Sequence, residues 1–117
     1  MTGLPMKLHT LEKAEEKPVS HDPGLKKKLL VPEGVGCVRH ISQIVLKPGS
    51  SASAHAHDAT EVFYCVRGEI TFHVNGKPVL FAAGSCLIIE PGEEHAIMEV
   101  AVESEMVYMM EIGRAHV

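Results

Sequence analysis

Short apolar segments separated by turn residues fill the chain from Lys28 onward, and this spacing restricts the possible folds. The segments are four to eight residues long, which is typical of β-strands and short for helices. Ile70, Phe72 and Val74 alternate with polar neighbours, and the Asn75-Gly76 dipeptide that follows is typical of a type I′ hairpin turn. The pattern therefore predicts eight or nine short antiparallel strands in an all-β sandwich or barrel.

The first thirty residues differ from the rest, since they are polar and contain three prolines. Residues 11–17 can form one or two helical turns, which Pro18 would end. The basic run Lys26-Lys27-Lys28 lies beside turn residues and is interpreted as a solvated loop. We therefore expect an irregular N-terminal arm over residues 1–30, a β-barrel over 31–113 and a tail over 114–117.

The composition is that of an ordinary globular domain of 117 residues, with 45% hydrophobic and 22% charged residues. The net charge of −4 argues against a nucleic-acid surface. There is no apolar run of the roughly 20 residues that a membrane-spanning helix needs, and no apolar secretory segment near the start. The three cysteines show no C-x2-C spacing. We expect a cytoplasmic protein with free thiols and neither a membrane nor a nucleic acid as partner.

A cluster of potential metal ligands follows the pattern Gly49-x5-His55-x-His57-x3-Glu61-x6-Gly68. Side chains alternate between the two faces of a strand, so His55 and His57 would point the same way. A short turn can bring Glu61 round on the next strand as an oxygen ligand. The two glycines are typical of turns with a positive φ.

A second motif runs from Gly84 to Glu99 and contains Glu90-Pro91-Gly92 followed by His95. If the two motifs lie on facing hairpins, His95 joins the first cluster. Three nitrogens and one oxygen leave one or two open positions on a five- or six-coordinate ion, as in a reactive metal centre.

These motifs resemble those of the cupin superfamily. The first matches at every fixed position, and the second matches at Gly84, Gly92 and His95, whereas Glu90 replaces the usual proline and Glu99 the usual asparagine. The resemblance covers roughly residues 38–112. It implies a double-stranded β-helix, also called a jelly roll, with a metal ion inside the barrel, and commonly a homodimer.

The four expected metal ligands are His55, His57, Glu61 and His95. The alternative for any single histidine is a hydrogen-bonded core residue. Imidazole and carboxylate together suit divalent Mn, Fe, Co, Ni, Cu or Zn, and we favour Mn or Fe.

Glu99 is the candidate for the catalytic general base, because in a regular strand it would share the face of His95. A supporting role beside the metal ligands is the alternative. Arg39 can anchor a substrate carboxylate, although a surface arginine is the default interpretation, and His40 is expected on an outer or rim face without a role in the site. The pocket walls are expected to be mostly apolar and to include Val45, Phe63, Cys65 and Ile97, with Met98, Met109 and Met110 as further candidates.

Three functions remain open. The first is a small metal-dependent enzyme of oxygenase, decarboxylase, lyase or isomerase type, acting on a small carboxylate or a keto or enediol compound. The second is a non-catalytic module that binds a small ligand or the metal. The third is a barrel that the ion merely stiffens, which the open coordination positions disfavour. The sequence does not decide whether the protein is an enzyme.

Overall fold

The computed structural model describes residues 6–112, whose regular secondary structure consists of β-strands and one short 3-10 helix at Leu11–Lys13. No helix among these residues is long and apolar enough to span a membrane. The strands are β1 (Glu15–Val19), β2 (Asp22–Val31), β3 (Val38–Leu46), β4 (Ala52–His55), β5 (Glu61–Arg67), β6 (Glu69–Val74), β7 (Lys77–Ala82), β8 (Cys86–Ile89), β9 (His95–Val100) and β10 (Ser104–Glu111).

The strands form two antiparallel sheets. The six-stranded sheet has the order β1-β2-β3-β10-β5-β8, and the four-stranded sheet has the order β4-β9-β6-β7. Consecutive strands of the chain lie in opposite sheets at β3–β4, β4–β5 and β5–β6, so the connections cross repeatedly between the sheets. The all-β jelly-roll prediction is confirmed.

The turn chemistry explains the tightest of these connections. Asn75 and Gly76 join β6 to β7, with φ values of 51° and 81°. A type I′ turn needs φ above zero at both central residues, and Asn and Gly tolerate this best. Ile70 then pairs with Phe81 and Phe72 with Val79, so this register brings apolar side chains of the two strands opposite each other.

The prediction of an irregular arm over residues 1–30 is wrong for residues 15–30. Strands β1 and β2 form a hairpin that extends the six-stranded sheet beside β3, and the expected boundary at residue 30 falls inside β2. The two prolines are tolerated because Pro18 lies in an edge strand and Pro23 near the start of a strand. The predicted helix is limited to Leu11–Lys13, and the predicted tail lies outside the described residues.

The apolar core lies between the sheets. Its largest fully buried side chains include Phe72, Phe81 and Leu46. The buried cluster comprises Ile44, Leu46, Phe63, Cys65, Ile70, Phe72, Phe81, Ile89, Ile97, Val100, Met106 and Tyr108. The rings of Phe63 and Phe72 lie 5.4 Å apart and also border the cavity described below, so the core forms the floor of the site.

Candidate metal centre

Strand pairing brings the two histidine motifs together. His55 ends β4 and pairs directly with His95, the first residue of β9. The Gly92 amide donates a hydrogen bond to the His57 carbonyl over 2.8 Å, which ties the turn before β9 to the segment after β4. Glu61 begins β5 in the facing sheet. The four predicted ligands therefore converge from both sheets.

One ligand atom from each of His55, His57, Glu61 and His95 lies within 4.8 Å of the others. Glu61 Oε1 is 3.0 Å from His95 Nε2 and 3.5 Å from His57 Nε2. Glu61 and His95 are buried, while His55 and His57 are half-buried. The site is thus deep on one side and accessible on the other.

Backbone carbonyls orient two of the imidazoles. His55 Nδ1 lies 2.9 Å from the Ser53 carbonyl, and His95 Nδ1 lies 3.1 Å from the Glu93 carbonyl. A carbonyl only accepts, so each Nδ1 carries the proton and each Nε2 is left with its lone pair. Such second-shell hydrogen bonds are usual for histidines that bind metals.

Glu61 Oε1 and His95 Nε2 are buried, yet neither has a hydrogen-bond partner of good geometry. With His95 neutral, each presents a lone pair to the other at 3.0 Å, an arrangement that a bound cation would stabilise. Buried polar atoms are otherwise almost always paired. The donor set therefore fits a divalent transition metal ion.

The pKa values of the three imidazoles differ in direction. Burial lowers the pKa of His55, opposed by its bond to Ser53, and burial also lowers that of His57, opposed by the Glu61 carboxylate. Burial acts in the same sense on His95, but Glu61 and the Glu93 carbonyl outweigh it and raise the pKa of His95. His55 and His57 are thereby held in the neutral form that coordinates metals.

The four residues lie in a cavity of about 270 Å³. This volume is at the small end of ligand pockets, which span about 300–1,000 Å³. The cavity is lined by Val19, Ser20, His21, Asp22, Leu25, Lys27, Arg39, His40, Ile44, Ala52, His55, His57, Glu61, Phe63, Phe72, His95, Ala96, Ile97, Met106, Tyr108 and Met110.

Comparison with known proteins agrees with this geometry. Residues 42–112 match the family described as Cupin domain, which is more than half of the chain. The chain belongs to the cupin family.

Two curated relatives are similar to this cupin. An oxalate-binding protein of Thermotoga maritima is 40% identical over 60 residues, covering 50% of each chain. The tetracenomycin polyketide synthase protein TcmJ of Streptomyces glaucescens is 29% identical over 82 residues, covering 68% of this chain and 55% of the relative. The chain thus spans about half the length of the curated relatives it matches.

Solved structures share the fold at low sequence identity. A predicted oxalate decarboxylase of Thermotoga maritima has a TM-score of 0.72 at 23% identity, covering 91% of this chain and 99% of the other. The polyketide cyclase RemF of Streptomyces resistomycificus has a TM-score of 0.76 at 17% identity, covering 92% of this chain and 80% of the other.

The hairpin of β1 and β2 lies outside the matched segment and covers the mouth of this cupin's site. The His21 ring stacks on that of His55 at 4.2 Å and lies 5.5 Å from that of His57. Asp22 fixes the hairpin tip, since its carboxylate accepts hydrogen bonds from Ser53 N at 3.1 Å and Ser53 Oγ at 2.8 Å. Sequence reasoning missed His21 and Asp22 because this segment was interpreted as irregular.

A β-bulge on β3 decides which of its side chains reach the cavity. Met110 pairs with His40 and Glu111 with Val38, so Arg39 is the extra residue. Arg39 and His40 consequently both line the cavity, so of the two positions expected for His40 the outer face is wrong. His40 Nδ1 lies 3.0 Å from Ser42 Oγ.

A second bulge, on β9, overturns the expectation that Glu99 reaches the cavity. Thr71 pairs with Glu99 but Phe72 pairs with Ile97, so Met98 is the extra residue and the alternation is broken. Glu99 is exposed and does not line the cavity. Its position therefore gives no support to a role as general base.

The predicted walls are right in part. Phe63, Ile97 and Met110 line the cavity, whereas Val45 is 39% exposed and Met98 52% exposed on outer faces. The other two expected wall residues, Cys65 and Met109, do not line the cavity either.

Proposed function

We propose that this cupin binds one divalent transition metal ion through His55, His57, Glu61 and His95 and uses it to hold a small carboxylate. The observation that carries the proposal is the pair of buried, unpartnered atoms Glu61 Oε1 and His95 Nε2, 3.0 Å apart and beside two further imidazoles. We favour Mn or Fe as the metal, with Ni, Zn, Co and Cu as alternatives, because this donor set suits all of them.

The site also supports a proposed activity, that of a metal-dependent decarboxylase, oxygenase, lyase or isomerase acting on a small carboxylate or a keto or enediol compound. The metal would supply Lewis-acid polarisation of such a substrate, or redox chemistry if it is iron. Phe63, Phe72 and Ile97 border the site with apolar surface and would limit the entry of water. Two relatives whose names refer to oxalate support a small acid as the ligand.

Two cavity residues are placed to handle protons. Burial first and Lys27 second lower the pKa of His40, so its imidazole is neutral near pH 7 and can accept a proton. Burial first and Glu61 second raise the pKa of Tyr108, so its phenol remains a hydrogen-bond donor. We assign the proton-transfer role to His40 rather than to the exposed Glu99.

The alternative is non-catalytic binding of a small ligand. It is favoured by the absence of a spare carboxylate, because among the described residues the cavity contains only Glu61 and Asp22 as acids. Glu61 belongs to the metal cluster and Asp22 is bonded to Ser53. The name of the curated Thermotoga maritima relative also describes a binding protein.

Elemental analysis of the purified protein tests the metal site, with Glu61→Gln as the variant and Glu99→Gln as the matched control. We expect about one transition metal ion per chain in the wild type and in Glu99→Gln, and roughly 100-fold weaker metal binding in Glu61→Gln, since even second-shell changes cost 10- to 100-fold. Equal metal content in all three proteins, or none in the wild type after reconstitution with Mn and Fe, would contradict the proposal.

A homodimer is the proposed assembly. The outer face of the six-stranded sheet exposes apolar side chains on adjacent strands, including Tyr64 at 47%, Val66 at 44% and Ile88 at 56% exposure. Exposed apolar patches of this kind mark interaction surfaces. A second copy of the chain is the partner that matches such a face in an isologous dimer.

A further inference from the structure

Two cations of the cavity form no salt bridge among residues 6–112, and both lie outside the segment that matches the cupin family. Lys27 comes from β2 and Arg39 from the bulge of β3, whereas the family match begins at residue 42. Both side chains line the cavity together with the metal cluster. They therefore extend the cavity lining beyond the four residues of the metal cluster.

The position of Lys27 follows from the register of β2. Lys28 pairs with Gln43 and Leu29 with Ser42. Ser42 is fully buried, whereas Lys28 and Gln43 border a separate groove on the outer side of the sheet. Alternation along the strand then turns Lys27 inward. The middle lysine of a run interpreted as a solvated loop thus reaches the site.

Neither cation has a carboxylate within salt-bridge distance in the described part of the chain. Among residues 6–112, the ion pairs of lysine and arginine involve Lys17, Lys47 and Arg67, not Lys27 or Arg39. The side-chain hydrogen bond of Arg39 goes from Nη1 to the Met110 thioether, at 3.5 Å, which is a weak acceptor. Burial lowers the pKa of the Lys27 ammonium and outweighs the opposing effect of the Glu61 carboxylate, as expected for a charge that is partly removed from water and forms no salt bridge.

The charges of the cavity define the ligand that would balance them. Its lining contains two acids, Asp22 and Glu61, and two cations, Lys27 and Arg39. With the histidines neutral these cancel, so a divalent ion would leave two uncompensated positive charges. A ligand with a single carboxylate neutralises only one of them, whereas a dianion neutralises both.

We propose that Lys27 and Arg39 form an anion subsite for the second acidic group of a small dicarboxylate whose first carboxylate lies at the metal cluster. This inference rests on the proposed metal site and names its substrate class. Arg binds a carboxylate through two parallel N–H donors and Lys acts as a point charge, so the pair supplies both geometry and charge. The cavity of about 270 Å³ restricts the ligand to a small molecule.

Isothermal titration of the metal-loaded protein with malonate and with its monomethyl ester tests the subsite. The ester keeps one carboxylate and loses the second charge with little change in shape. We expect the wild type to bind malonate roughly 10- to 100-fold more tightly than the ester, which is the range for hydrogen bonds to charged groups. In Lys27→Met and Arg39→Met this preference should largely disappear, while the affinity for the ester stays the same.

Two controls exclude trivial explanations. Lys26→Met removes the same charge from the exposed neighbour on β2 and should keep the preference for malonate. Lys27→Arg keeps a cation at this position and should keep most of the preference for malonate over the ester. A wild type that binds the diacid and the ester equally, or a Lys27→Met variant that weakens both equally, would overturn the subsite.

Metal content measured on the same samples separates this inference from the proposed function. If the protein binds no metal, the metal proposal fails. The subsite then stands if malonate binding to the metal-free protein is weakened by Lys27→Met and not by Lys26→Met, and it fails if the two variants behave alike. If metal is bound equally by all variants but no preference for malonate exists, only the subsite fails.

Discussion

At the scale of single residues, two β-bulges decide which side chains face the metal cluster. The one at Arg39 turns both Arg39 and His40 toward the cavity, and the one at Met98 leaves Glu99 exposed. The candidate proton carrier is therefore His40 of the six-stranded sheet. Its imidazole lies between the Ser42 hydroxyl and the Tyr108 ring.

The titration of His40 leads to a prediction about stability. Burial first and Lys27 second lower its pKa in the folded state, whereas in the unfolded chain it is about 6.5. Below about pH 6.5, His40 therefore binds a proton in the unfolded chain but not yet in the folded protein. Neutral His40 therefore makes its full contribution to the free energy of unfolding above about pH 6.5, and this contribution is lost as the pH falls through the lower pKa that His40 has in the folded protein.

His40→Gln removes this proton uptake while keeping a polar group near Ser42. In urea denaturation of the metal-free protein, the free energy of unfolding of the wild type should fall more steeply between about pH 7 and pH 5 than that of the variant, because a pKa difference of one unit corresponds to about 1.4 kcal/mol. Parallel pH profiles for the two proteins would contradict this prediction.

The clustering of the four candidate ligands was predictable from the sequence, and their surroundings were not. Strand alternation and tight turns predict that His55, His57 and Glu61 converge, the second motif adds His95 if the hairpins face each other, and the structure brings the four together. The bulge at Met98 has no comparable signature, because an extra residue in a strand leaves the apolar pattern nearly unchanged. Bulges are fixed by pairing with distant strands, which a single sequence does not show.

At the scale of strands and turns, the connection between β5 and β6 depends on glycine at position 68. Gly68 has a φ of +89°, and a Cβ at this position would lie within 2.7 Å of the Ser104 Cα. Ser104 Oγ accepts a hydrogen bond from the Glu69 amide at 2.9 Å and donates one to the Val102 carbonyl at 2.8 Å. A methyl group at residue 68 would therefore both strain the turn and displace a buried, bonded serine.

Gly68→Ala should destabilise the protein more than Gly84→Ala. Gly84 has a similar φ of +85° but open space around its Cβ position, so alanine there costs only the left-handed strain of roughly 1–2 kcal/mol. At Gly68 the steric overlap adds about 1–3 kcal/mol. Urea denaturation of both variants measures the difference, and equal losses would show that Ser104 moves aside at little cost.

The hairpin of β1 and β2 was not predictable from its residues alone. Pro18 and Pro23 disfavour strands in general, and three consecutive lysines suggest a loop. Both prolines are acceptable because of where they fall, in an edge strand and near a strand start. Lys27 turns inward because of its pairing with β3. These are consequences of the tertiary arrangement rather than of local preference.

At the scale of the whole molecule, the six-stranded sheet is apolar on its inner face and, across β10, β5 and β8, on its outer face as well. The inner one packs on the core, and the outer one carries rows that follow the strand register. In one row Met109 of β10 pairs with Val62 of β5, which pairs with Ile88 of β8. In the neighbouring row, Val107 of β10 pairs with Tyr64 of β5. The rows form a continuous apolar surface across three strands, which matches the proposed homodimer.

The double variant Tyr64→Lys/Ile88→Lys tests that assembly, because it would bury four unpaired ammonium groups in an isologous interface, and burying an unpaired charge is costly. Light scattering after size-exclusion chromatography should give a dimer for the wild type and a monomer for the double variant. Leu80→Lys is the control, since Leu80 is 63% exposed on β7 in the other sheet, and it should remain dimeric. A monomeric wild type, or a double variant that stays dimeric while its circular dichroism is unchanged, would show that this face is not the interface.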